Sequence, residues 1–139
     1  MKKKLRYSLF MLLMTMGGMA WGQEVTLDFS SNEDWQFPTS KATTEASFTN
    51  GDGYTITLEG TSGNGYRWYD SGKYLINGKQ GATLTLPAFD FDVASIEVVG
   101  REGASTSTMF NVFVGDDAVS TEVTGCTGTQ VFEIEDGYP

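Results

Sequence analysis

The chain has 139 residues, eighteen of them acidic against nine basic, for a formal net charge of −9, and it contains no histidine. The missing histidine excludes Ser-His-Asp and Cys-His nucleophilic systems and the usual zinc sites. The acidic balance argues against nucleic acid and anionic membrane surfaces, because binding phosphates requires clustered Lys and Arg.

The first residues carry Lys2, Lys3, Lys4 and Arg6, followed by an uncharged apolar run from Leu9 to Met19 and the small-residue pattern Ala20-Trp21-Gly22 before Gln23. Such a series predicts a secretory signal peptide over 1–22, cut after Gly22, with Ala20 as the alternative site. Gly17 and Gly18 interrupt the run, which is also shorter than the roughly 20 residues a membrane-spanning helix needs, so no membrane insertion is expected. The expected location is secreted, periplasmic or on the outer cell surface. Removing 1–22 leaves 117 residues, enough for one domain, 23–139. The leader takes four basic residues and no acidic ones, so the remainder carries five basic against eighteen acidic residues, a formal −13. The only cysteine, Cys126, rules out an internal disulfide. Its setting, Thr124-Gly125-Cys126-Thr127-Gly128, reads as a turn with a small-residue role.

Beyond the leader, strict apolar–polar alternation predicts half-buried strands. Val25, Leu27 and Phe29 share one face. Tyr54, Ile56 and Leu58 alternate with Thr55, Thr57 and Glu59, and Ala82, Leu84 and Leu86 alternate with Thr83 and Thr85. Phe110, Val112 and Val114 form a further set, with Asn111 and Phe113 between them. Turn signals separate the strands: Asn50-Gly51-Asp52-Gly53, Ser62-Gly63-Asn64-Gly65, Ser71-Gly72, Asn77-Gly78, Arg101-Glu102-Gly103 and Gly115-Asp116-Asp117. Pro87 marks a strand exit. No window offers a helix period. Short strands with turns at this spacing predict an all-β antiparallel sandwich or barrel of about nine strands. Asp136-Gly137-Tyr138-Pro139 reads as a turn with no strand after it, which predicts a chain cut short.

Several of these stretches resemble a β-sandwich module of secreted and surface Bacteroidetes proteins. The resemblance rests on Leu27-Asp28-Phe29 leading to Trp35-Gln36-Phe37-Pro38, on Gly53 to Leu58, on Gly81 to Phe89, on Ile96 to Ser105 and on Val112 to Asp116. It implies a jelly-roll fold similar to galactose-binding-like domains, a non-catalytic role and other domains as companions. Such modules continue with one or two closing strands beyond the turn near Asp136. The resemblance carries no active site.

Candidate sites follow from residue chemistry. In Tyr66-Arg67-Trp68-Tyr69, alternation puts Tyr66 and Trp68 on one face and Arg67 and Tyr69 on the other, so one pair is buried and the other is available outward. A sugar stacks its apolar face on an aromatic ring while Arg, Asp or Asn engages its hydroxyls, which makes Arg67, Trp68, Tyr69, Tyr74 and Arg101 the candidate glycan residues. The opposing reading is a cross-strand aromatic cluster with arginine stacked over it. Trp35 is expected as a plug that closes one end of the sandwich. Calcium takes six to eight oxygens from carboxylates and loop carbonyls, so Asp90, Asp92, Asp116 and Asp117 are the candidate metal ligands, for a structural calcium rather than a cofactor. Asn50-Gly51-Asp52-Gly53 lacks the distal Glu of a calcium loop and reads as a hairpin turn.

The expected function is a non-catalytic exported or cell-surface binding module, for a glycan as partner and not for nucleic acid. A structural spacer or adhesin-like interaction domain without a small ligand is the alternative. Paired carboxylates acting on glycans form a lesser third reading.

Overall fold

The computed structural model describes residues 3–7, 11–16, 24–61, 65–77, 81–99, 109–118, 123–124 and 129–138. The chain is all-β, with no helix among these residues and strands paired in antiparallel sheets of the sandwich class. The class expected from alternation is therefore the class observed. The strands are more numerous and shorter than the nine expected.

Two compact units make up the chain, residues 1–28 with 89–139 and residues 29–88. In the first, β1 (Lys3–Tyr7) and β2 (Met11–Met16) form a hairpin inside the expected leader. They join β3 (Glu24–Asp28), β9 (Val93–Val99) and β14 (Thr129–Tyr138) in one sheet of order β14-β9-β1-β2-β3. All pairings in it are antiparallel except β1 with β9. Core residues from this sheet are Val25, Leu27, Ala94, Ile96, Val98, Phe132 and Ile134, all buried. Val25 and Leu27 are spaced by two, so β3 turns one face inward, whereas β9 buries Ala94, Ile96 and Val98 on one face and Ser95 on the other.

Two expectations are corrected in this unit. The predicted strand through Phe110, Val112 and Val114 is broken at Asn111-Val112 into β10 (Met109–Phe110) and β11 (Phe113–Val114), which pair with different partners. β10 pairs with β13 (Val123–Thr124), and β11 pairs with β12 (Asp117–Ala118) around Gly115 and Asp116. The Asp136-Gly137 pair is not a terminal turn. It lies within β14, where the register shifts between Glu133 and Tyr138, so an irregularity in the ladder absorbs the Asp-Gly step.

In the second unit, β4 (Ala46–Thr49), β5 (Thr55–Glu59) and β8 (Thr83–Thr85) form a three-stranded sheet, and β6 (Tyr66–Tyr69) pairs with β7 (Tyr74–Asn77) as a hairpin. The β4–β5 turn is the expected one. The Asn50 Oδ1 accepts the N–H groups of Asp52 and Tyr54 at 3.1 and 2.9 Å, so the side chain substitutes for backbone acceptors in the reversal. Ser47 with Thr57 and Thr49 with Thr55 pair their hydroxyls across the strands at 2.8 and 2.7 Å.

Aromatic rings build the core of this unit. Trp35 stacks on Phe37 with centroids 5.6 Å apart and tilts against Phe29 at 4.9 Å. Phe48 meets Phe37 edge-on at 5.0 Å and Tyr66 at 5.8 Å. The burial expected of Trp35 is observed, since only 3% of the residue is exposed. The buried Tyr66 hydroxyl donates to the Thr44 carbonyl at 2.7 Å, and burial holds the phenol above its ordinary pKa. Strand β6 also pairs its Tyr66 with Ala42 through two backbone hydrogen bonds of 2.9 and 3.1 Å. A Cβ on Gly65 would lie 1.8 Å from the Ala42 carbonyl oxygen, so only glycine admits this approach.

Trp35→Ala is expected to cost about 3 to 5 kcal/mol in chemical denaturation, the usual loss for a buried aromatic. Ser95 gives the opposite expectation, because it is buried in β9 and its hydroxyl has no hydrogen-bond partner among the described residues. Ser95→Ala therefore leaves stability unchanged or raises it. A loss above about 1 kcal/mol on Ser95→Ala would reveal a bond to the hydroxyl.

Candidate functional site

The β6–β7 hairpin carries the candidate residues, and the register pairs Tyr69 with Tyr74, Trp68 with Leu75 and Arg67 with Ile76. Alternation separates them as expected. Tyr66 and Trp68 are buried, whereas Arg67, Tyr69 and Tyr74 are half-exposed. On the half-exposed side the Tyr69 and Tyr74 rings lie 5.3 Å apart, tilted by 52°, and the Arg67 guanidinium sits 5.3 Å from the centre of the Tyr69 ring. This is the cross-strand cluster with arginine over it, and it is also a partly open aromatic surface. The turn maintains it. A Cβ on Gly72 would fall 2.3 Å from Tyr74 and 2.8 Å from Tyr69, so the rings occupy the space where any other residue would project. The left-handed position of this turn belongs to Lys73, at φ +56°, and not to the glycine.

The opposite side of the hairpin borders a cleft of about 400 Å³, lined by Ser30, Ser31, Asn32, Glu33, Gln36, Trp68, Asp70 and Lys73. Its first wall is the loop after β3. The Ser31 hydroxyl accepts the Glu33 N–H at 3.2 Å, and the Gln36 N–H closes a single turn onto the Asn32 carbonyl at 3.0 Å. Asn32 then fixes the exit, donating from Nδ2 to the Phe37 carbonyl at 3.0 Å and accepting the Phe37 N–H on Oδ1 at 2.7 Å. Its second wall is the hairpin, joined to the loop by the Trp68 N–H on the Pro38 carbonyl at 2.7 Å.

Trp68 is 3% exposed, so its ring belongs to the core and offers no open stacking face. Close by, the Asp70 carboxylate receives the Lys73 ammonium at 2.8 Å. The Lys73 hydrogen bond, its charge and then the Trp68 side chain hold the Asp70 carboxyl below its ordinary pKa. Both ends of the ion pair are open to solvent, at 68% and 71% side-chain exposure, so it orients the rim of the cleft and adds little to folding. Gln36 and Lys73, the two non-glycine residues with positive φ among those described, both line this cleft. Sparsely populated backbone conformations collect at functional sites.

The remaining candidates are dispersed. Arg101 and Cys126 lie outside the described residues. Asp90 and Asp92 are exposed just before β9, while Asp116 and Asp117 are exposed at the β11–β12 turn. Among the described residues no three such side chains are grouped to hold a metal ion. The cleft loop was missed as a site in the sequence, although Ser31 with Glu33 and the run Glu33-Asp34-Trp35-Gln36 already carried the capping and turn chemistry. Comparison with protein-family models, curated proteins and solved structures finds no match.

Lys73→Met is expected to return the Asp70 titration midpoint toward the ordinary aspartate value, measured by NMR on the carboxyl carbon. A depressed carboxylate stabilises the fold above its unfolded pKa, and that contribution disappears as the pH falls through the lowered folded pKa. An unchanged midpoint in the variant would assign the depression to Trp68 alone.

Proposed function

We propose that the protein is a non-catalytic, exported binding module whose ligand is a glycan. The cleft carries this reading. Its volume falls in the range of about 300 to 1,000 Å³ usual for small-ligand sites, and its lining of hydroxyl, amide, carboxylate and ammonium groups suits a molecule dense in hydroxyls. The half-exposed Tyr69 and Tyr74, on the other side of the same hairpin, offer a second surface for sugar stacking. Export rests on the leader over 1–22, and the resemblance to a Bacteroidetes surface module agrees with both export and a binding role.

A second reading, attachment to another protein, draws on the first unit. Phe113 and Val131 are large apolar residues left 55% and 53% exposed. Val131 lies on β14, the outer strand of its sheet, and an unpaired strand edge accepts a further strand.

A glycan array probed with the exported chain, in calcium and again in chelator, tests the proposal. Binding to a defined glycan is expected in both conditions and is expected to fall on Glu33→Ala or Gln36→Ala, two exposed positions, with the circular dichroism spectrum unchanged. Trp68→Ala does not serve, because loss of a buried indole unfolds the hairpin along with the site. No glycan bound by a folded chain would overturn the reading in favour of protein attachment.

A further inference from the structure

The charges in the cleft discriminate among sugars. Glu33, Asp70 and Lys73 are the ionisable residues in its lining. Lys73 is engaged with Asp70 at 2.8 Å. The Glu33 carboxylate makes no ion pair among the described residues, so the cleft carries one net negative charge.

The neutral groups lean the same way. Both Asn32 side-chain atoms are engaged by the Phe37 backbone. The Gln36 Nε2 donates to the Glu33 carbonyl at 2.7 Å and the Asn32 carbonyl at 3.3 Å, which leaves its Oε1 as an acceptor. The Glu33 carboxylate and the Gln36 Oε1 are therefore acceptors left open on the loop wall. At longer range the acidic chain repels anions.

We infer that the cleft selects amine-bearing sugars over neutral ones and excludes uronic acids. The inference rests on the glycan reading and adds the ligand's charge class to it. Hydroxyl and ammonium hydrogens meet carboxylate and carbonyl oxygens, whereas a ligand carboxylate meets Glu33 and competes with Asp70 for Lys73.

The test uses the exported chain with galactose, galactosamine and galacturonic acid, and with the corresponding glucose series, followed by NMR at the Trp68 indole N–H, which reports from the cleft itself. Amine forms are expected to bind roughly two- to fivefold more tightly than neutral forms, and neutral forms more tightly than uronates by a similar factor, the size of an exposed charge interaction. The order is expected to collapse at about 1 M salt, where screening acts within about 3 Å. Glu33→Gln is expected to equalise amine and neutral forms. A uronate bound as tightly as the neutral sugar would overturn the inference and leave the glycan reading standing. So would an array-positive glycan that leaves the Trp68 indole signal unmoved, since binding would then lie elsewhere. No response to any sugar together with a silent array would overturn both.

Discussion

The ring sequence Phe29, Trp35, Phe37, Phe48 and Tyr66 is the constraint on which the second unit depends. Each ring lies 4.9 to 5.8 Å from the next, so the loop after β3, the sheet edge at β4 and the start of β6 are held by one continuous apolar contact. Rings of this size bury large areas and carry most of the packing energy in a small core. No disulfide supports the loop in a chain with one cysteine. The loop wall of the cleft is therefore rigid because Trp35 and Phe37 anchor it from beneath while its polar residues remain outside.

The backbone of that wall is stabilised locally. Ser31, Asn32 and Gln36 each satisfy main-chain groups within five residues, which allows a single turn with a left-handed residue to persist without a helix. These engaged amides have a consequence for chemistry. Gln36 gives its amide nitrogen to the Glu33 and Asn32 carbonyls and keeps its Oε1 as an acceptor, while the Ser31 hydroxyl accepts from the loop and keeps its proton.

Alternation made most strands legible, because a buried face at every second residue is a direct result of pleating. Val25, Leu27, Ile56, Leu58, Tyr66 and Trp68 all lie inside as the pattern requires. The pattern failed where backbone pairing overrides it. Phe110, Val112 and Val114 alternate correctly, yet β10 and β11 have different partners and the strand breaks between them. Asp136-Gly137 has the composition of a turn but lies in a strand, since the buried Phe132 and Ile134 hold β14 against β9 and the register shift accommodates the pair. The aromatic face of β6 was legible for the same reason as the strands. The cleft was not, because its walls come from residues 30–36 and 68–73, and only the Trp68–Pro38 bond and the ring contacts bring them into register.

The stretch expected as a leader shows how strongly sequence pattern and strand pairing can act on the same residues. Met11–Met16 is apolar, lacks glycine and proline, and pairs readily as a strand, so β1 and β2 lie between β9 and β3. A cut at the site expected from the sequence, after Gly22, would remove both. The backbone groups of β9 on the side away from β14, and those of β3 that face β2, would then need water or another strand as partner. Ala94, Ile96 and Val98 belong to the face of the strand, and β14 continues to hold the other edge through the Thr129↔Val99 to Glu133↔Ser95 pairs. The cleft lies wholly within residues 29–88 and draws none of its lining from β1 or β2.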